Sequence, residues 1–136
     1  MAAGSVLVVE DDYQVRAMLA ATMRRYGIEV DTAIDGQDAI DKIRLRTTYK
    51  VIILDLMMPK IDGFGVVSYL RDTSNPAVVI VVSAVASADD ARLDRDVVKM
   101  IVKKPLDLDA LMAPILEACG IDPAGFDPAP VARLLV

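Results

Sequence analysis

The sequence predicts an α/β protein built on a doubly wound parallel sheet, and three observations lead there. Five short apolar runs alternate with segments of helical period along the chain. Four of those runs are nearly continuous valine, isoleucine and leucine, as in strands covered on both faces, whereas the second alternates and suits an edge. With 136 residues and 54% hydrophobic content, the chain is long enough for one domain with a real core and too short for two ordinary ones.

The first predicted strand is "VLVVE" at residues 6–10. Behind it Asp12 can cap a helix in which Val15, Met18, Leu19, Met23 and Tyr26 recur at helical spacing, with Gly27 as a positive-φ stop. "EVDTA" at 29–33 is the alternating strand, followed by a helix that Asp35 can cap and that carries Ala39, Ile40 and Ile43. "VIILD" at 51–55 is the third strand; Asp62 with Gly63 reads as a turn, and Phe64, Val67 and Leu70 stripe the third helix. "VVIVVS" at 78–83 is the fourth strand. The helix expected after it, around residues 88–96, is the weakest, with alanine, aspartate and arginine in place of an apolar stripe. "MIVK" at 100–103 is the fifth strand, and Leu108, Leu111, Met112, Ile115 and Cys119 stripe the last helix. Pro114 falls inside that stripe, where it removes a backbone hydrogen bond at a cost of about 3 kcal/mol or forces a kink. Five β-α repeats joined by right-handed crossovers leave a parallel sheet with helices on both faces. Residues 120–136, with three prolines and two glycines, read as a tail or linker beyond a domain at 1–119.

Composition excludes several chemistries. The net charge is −5, the fifteen Lys and Arg are scattered, and two Phe with no Trp offer little to stack on bases, so no nucleic-acid footprint is expected. No apolar run approaches the roughly 18 residues of a membrane span, and the first residues lack a signal-peptide pattern, so the chain reads as cytoplasmic. Cys119 is the lone cysteine and histidine is absent, which closes an internal disulfide, a structural zinc site and Ser-His, Cys-His or His-metal chemistry. Carboxylates, lysine and hydroxyls remain.

In a doubly wound sheet such groups act at the carboxyl ends of the strands. Those ends carry Glu10, Asp11 and Asp12, then Asp55, then Ser83, then Lys103, Lys104 and Pro105. Carboxylates within about 4 Å repel by roughly 4 kcal/mol at an effective dielectric of 20, so the cluster calls for a cation. Oxygen ligands without histidine or thiolate favour Mg²⁺, which also accepts phosphate oxygens. Asp55 stands where metal and phosphoryl group would meet, as a nucleophile with no proton to lose. Of the two lysines, Lys104 is favoured because Pro105 fixes the turn beside it. Asp12 reads mainly as a helix cap, and Cys119 as a packed residue.

"VLVVEDDYQVR", "VIILDLMMPKIDG", "VVIVVSA" and "VKKPL" together resemble the receiver domain of two-component response regulators, over roughly residues 5–119. The resemblance implies a flavodoxin-like (βα)5 fold with sheet order 2-1-3-4-5. It implies transfer of a phosphoryl group to Asp55 from a sensor histidine kinase or histidine phosphotransferase, with a downstream protein partner reading the change and a homodimer left open. On this pattern Asp11 is the direct Mg²⁺ ligand, Glu10 reaches the metal through water, and Met57 offers its backbone carbonyl. Ser83 and Lys104 are then the hydroxyl and ammonium that meet the phosphoryl oxygens. The chain would be a phospho-accepting switch and not an enzyme, beyond its own phosphorylation and slow dephosphorylation.

Rival readings are a flavodoxin-type cofactor binder, an aspartyl-phosphate phosphohydrolase and a docking module that works without phosphorylation. "EDDYQV" repels phosphate unless a metal intervenes, Met57 stands where such a hydrolase has a second acid, and the full acid-hydroxyl-lysine set argues against mere docking. The chain departs from the family in placing Ile101 where many receivers have a switching Tyr or Phe, and "RLDRDVVKM" is short and lacks glycine. By the same resemblance, the positions that would flank a water attacking the acyl phosphate are Met57 and Val85, both apolar, which implies slow loss. Arg16, Arg24 and Arg25 on the first helix face either a kinase or solvent.

Overall fold

The computed structural model describes residues 5–46, 48–58, 60–84 and 93–121. Five strands, β1 (Ser5–Val9), β2 (Glu29–Ala33), β3 (Val51–Asp55), β4 (Val78–Ser83) and β5 (Val98–Lys103), form one parallel sheet in the order β2-β1-β3-β4-β5. The helices among the described residues are α1 (Tyr13–Arg25), α2 (Gly36–Leu45), α3 (Gly63–Asp72) and α4 (Leu108–Cys119). This is the predicted doubly wound, flavodoxin-like sheet.

Side chains alternate across the sheet, so each strand feeds two cores. Leu7, Val9, Ile52 and Leu54 pack under Ala39, Ile43, Val67 and Leu70 of α2 and α3. Val6, Val8, Ile53 and Ile80 face the other way, against Leu19 and Met23 of α1 and Leu111 and Ile115 of α4. Burying each such side chain contributes about 1.5–3 kcal/mol, and burial on both faces explains the unbroken apolar runs. The alternating run lies at the edge, where β2 shows an exposed Glu29.

Four aspartates begin the helices. Asp12 accepts from the N–H of Gln14 and Val15, Asp35 from Asp38, Asp62 from Gly65 and Asp107 from Ala110. Asp62 is therefore a cap rather than a simple turn residue, satisfying a donor the first turn of α3 leaves open. Gly27, at φ +77°, follows α1 as its sequence implied. Boundaries and burial differ in detail from the sequence reading. β1 stops at Val9, one residue short of Glu10, and β5 begins at Val98. Met18 is 40% exposed, because only Leu19, Ala20 and Met23 of α1 reach full burial. α4 runs through Pro114 as one helix. Of the weak segment around 88–96, residues 88–92 lie outside the described part, and residues 93–97 form a turn that leads into β5.

Candidate functional site

The carboxyl edge of the sheet is built by where its central strands end. β3 is paired on both sides, with β1 and β4, and its last residue, Asp55, is 5% exposed. The chain then turns tightly: the Gly63 N–H donates to the Leu56 carbonyl at 3.0 Å, and a Cβ at Gly63 would stand 2.6 Å from the Asp55 carbonyl oxygen. Only glycine permits that approach. One strand over, Glu10 continues β1, its N–H donating to the Ala33 carbonyl at 3.0 Å and its side chain buried. Asp11, next in the chain, is exposed. Ser83 ends β4 fully buried, and its carbonyl accepts from the Lys104 N–H at 3.1 Å.

These backbone positions bring four charged groups together. The Lys104 ammonium donates to Glu10 Oε1 at 2.9 Å and to Asp55 Oδ2 at 3.4 Å. Asp55 Oδ1 accepts from the Met57 N–H at 3.2 Å, which ties the Met57 backbone to the acid while its side chain is exposed at the rim. Glu10, Asp11 and Asp55 each offer an oxygen, all within 4.8 Å of one another. Burial pushes the Glu10 carboxyl up to about 7, with the Asp55 charge adding to it and Lys104 opposing it. Burial works against the Lys104 ammonium, but its bonds to Glu10 and Asp55 outweigh that and hold its pKa above the ordinary lysine value. Three acids thus face one ammonium, and the surplus negative charge with all-oxygen donors suits a hard divalent cation. The residues present fit Mg²⁺.

The other expected residues fall as follows. Lys103 is exposed, and the described contacts belong to Lys104. Asp12 is occupied as a cap. Ile101 is half-buried against the core shared with α2 and α3. Val85 lies outside the described residues. Arg24 turns onto β2, where its Nη2 donates to the Val30 carbonyl at 3.2 Å, and Arg16 turns onto the loop after β1. One part of the site escaped sequence reasoning: the segment after β3 is clamped to the start of α2. The Lys60 ammonium, on a residue at φ 61°, lies 3.6 Å from buried Asp35, and a Cβ at Gly36 would stand 1.9 Å from the Ile61 carbonyl oxygen. The adjacent "DG" at 35–36 was the available signal.

A parallel five-stranded sheet that gathers three acids, a hydroxyl and a lysine at its carboxyl edge defines a class of switch-like signalling domains. This chain belongs to the response regulator receiver domain family, whose model matches residues 6–116. It is 46% identical over 85 residues to the transcriptional regulatory protein PrrA of Mycobacterium leprae, covering 62% of this chain and 36% of PrrA. It is 35% identical over 111 residues to the response regulator ArlR of Staphylococcus aureus, covering 81% of this chain and 50% of ArlR. The chain spans about a third to a half of the length of these relatives. Among solved structures, the receiver domain of the Francisella response regulator 1452 matches with a TM-score of 0.77 at 27% identity, over 86% of this chain and 97% of that one. TrrA of Thermotoga maritima, solved in complex with Mg²⁺–BeF, matches with a TM-score of 0.75 at 28% identity, over 85% and 98%. Receiver domains work in two-component phosphorelay signalling as phospho-accepting switches rather than classical enzymes, bind Mg²⁺ at an acidic pocket and interact with sensor histidine kinases. Among the described residues, no helix is long and apolar enough to cross a membrane.

Proposed function

We propose that the domain at 1–119 accepts a phosphoryl group on Asp55 from the phosphohistidine of a sensor histidine kinase or histidine phosphotransferase, and that a change in protein contacts follows. The observation that carries this reading is the Lys104 ammonium held between Glu10 Oε1 and Asp55 Oδ2, at 2.9 and 3.4 Å, beside exposed Asp11. An Asp55 oxygen attacks phosphorus in line, the O–P bond forms as the P–N bond breaks, and the electron pair leaves with the imidazole. No general base is required, since the ionised carboxylate has no proton to give up. Lys104 neutralises charge on the transferring group, and Ser83 supplies a hydroxyl at the end of the neighbouring strand. Asp11, Asp55 and the Met57 carbonyl would hold Mg²⁺, with Glu10 reaching it through water, and the ion would neutralise phosphoryl charge when bound. Ile101 carries no ring to exchange between two sites and is stiff at its first torsion, so the response runs through the chain after Ser83 without an aromatic rotamer change. The domain catalyses only its own phosphorylation and slow dephosphorylation, and acts in the cytoplasm. PrrA's name, transcriptional regulatory protein, leaves a nucleic-acid output open for a longer chain.

The test is incubation with acetyl phosphate and Mg²⁺ followed by intact mass. One added phosphoryl group is expected, absent in Asp55→Asn and without Mg²⁺. An adduct that survives Asp55→Asn would move the acceptor elsewhere.

A further inference from the structure

Arg16, read from the sequence as facing a kinase or solvent, is half-buried and folds back onto the loop after β1. It sits in the first turn of α1, where side chains lean toward the helix N-terminus. Its Nη1 donates to the Glu10 carbonyl at 2.9 Å and lies 3.4 Å from the Asp11 carbonyl. Its guanidinium carbon is 5.5 Å from the centroid of the Tyr13 ring, which gives the side chain a second support. The Glu10 N–H is already engaged by the Ala33 carbonyl at 3.0 Å, so both backbone groups of Glu10 are held, one by the sheet and one by Arg16.

That placement carries an electrostatic penalty that needs a reason. Glu10 and Asp11 supply two of the three acids whose oxygens lie within 4.8 Å of one another. A fixed positive charge on their backbone opposes the arrival of a second cation. The Gln14 and Val15 N–H groups already donate to Asp12 Oδ1 at 2.9 and 3.2 Å, and the Arg16 N–H donates to the Asp12 carbonyl at 2.9 Å, so the helix start is closed without the Arg16 guanidinium. The guanidinium is therefore surplus to capping, and what its hydrogen bonds do is set the peptide planes from which the Glu10 and Asp11 carboxylates project.

We propose that Arg16 is a positioning residue for the metal site: by holding the Glu10 and Asp11 carbonyls, it orients the two carboxylates that receive Mg²⁺. This rests on the reading of Glu10, Asp11 and Asp55 as the metal site. The two effects of Arg16 have opposite signs, and that makes the role measurable. Removing the charge alone tightens Mg²⁺ binding, whereas losing the positioning loosens it, by about tenfold or more for partners of this outer kind.

The experiment is calorimetric titration of the full chain with Mg²⁺ alone, with urea midpoints measured alongside. Arg16→Ala is expected to weaken Mg²⁺ binding about tenfold or more. Arg16→Met keeps the apolar stem over Tyr13 and removes the donors, so it is expected to weaken binding likewise even if the alanine variant folds poorly. Arg16→Lys, with one donor group in place of a fork, is expected to recover part of the loss. Arg25→Ala removes the same charge farther along α1 and is expected to leave binding unchanged or slightly tighter. Binding unchanged or tighter in folded Arg16→Ala and Arg16→Met would overturn the positioning role while leaving the metal site standing. Wild-type binding that persists in Asp11→Asn would overturn the metal reading and the role of Arg16 with it.

Discussion

At the scale of single residues, the site keeps two of its three acids, Glu10 and Asp55, where water cannot fully solvate them. Burial raises the Glu10 carboxyl from 4.5 to about 7. Between those values the native state binds more protons than the unfolded chain, so this group makes stability fall as pH rises through that window. Urea midpoints measured in EDTA at pH 5 and at pH 7.5 are expected to be lower at the higher pH, and Glu10→Gln is expected to flatten the difference. Equal midpoints in wild type would mean that Lys104 compensates the charge in full. Met57, 60% exposed and tied to Asp55 through its N–H, brings an apolar side chain beside that carboxylate. It can crowd a water but cannot orient one, and positioning carries much of phosphoryl transfer chemistry. Met57→Asn is expected to speed the decay of the phosphoprotein about tenfold, equivalent to about 1.4 kcal/mol in the barrier. Decay traces that coincide for the two proteins would remove Met57 from that role.

At the scale of elements, β2 and its neighbours show how the fold protects an exposed edge. Ala33 turns its carbonyl toward β1, where it meets the Glu10 N–H, so Val30 and Thr32 turn theirs outward. An open row of carbonyls invites pairing with another chain. Here Arg24 from α1 donates to Val30 at 3.2 Å and Lys42 from α2 donates to Thr32, one cation from each face of the sheet. The double variant Arg24→Ala/Lys42→Ala is expected to self-associate at concentrations where wild type does not, as read by sedimentation velocity; an unchanged profile would show that the edge needs no such cover. On the same side, α2 meets the segment after β3 through Gly36. A methyl there would stand 1.9 Å from the Ile61 carbonyl oxygen, a backbone atom that cannot swing aside. Gly36→Ala is expected to cost about 1–3 kcal/mol in urea unfolding, the range for overpacking. A loss smaller than that of an exposed helical substitution would show that the segment moves freely.

At the scale of the whole molecule, two cores on opposite faces of one sheet hold a single site at its edge, so ligand binding couples to global stability. A ligand that binds only the native state stabilises it by RT ln(1 + [L]/Kd), about 2.7 kcal/mol at a hundredfold excess over Kd. Mg²⁺ with beryllofluoride, a phosphoryl mimic, is expected to raise the melting temperature of wild type and not that of Asp55→Ala. An equal rise in both would place the mimic away from Asp55. The sheet reads as legibly in the sequence as it does because β1, β3 and β4 are buried on both faces: an unbroken run such as "VIILD" has few alternatives. The segment after Ser83 was the least legible, since alanine, aspartate and arginine there leave no apolar stripe to set a helical face.

The strands and the run of acids, hydroxyl and lysine at their ends are legible from local pattern, because apolar periodicity and turn chemistry act over a few neighbouring residues. So are the caps at Asp12 and Asp35, which act on residues two or three positions away. Which groups touch depends on long-range packing. Lys104 reaches Glu10 across 94 positions of chain, a contact set by the register of β1, β3, β4 and β5 together. The same holds for Asp35 with Lys60, for Gly36 beneath Ile61 and for the pair of cations closing β2. Arg16 is the sharpest case: an arginine on an exposed helix start has many ways to face water. What holds it is a carbonyl whose direction is fixed once the Glu10 N–H has been claimed by the neighbouring strand.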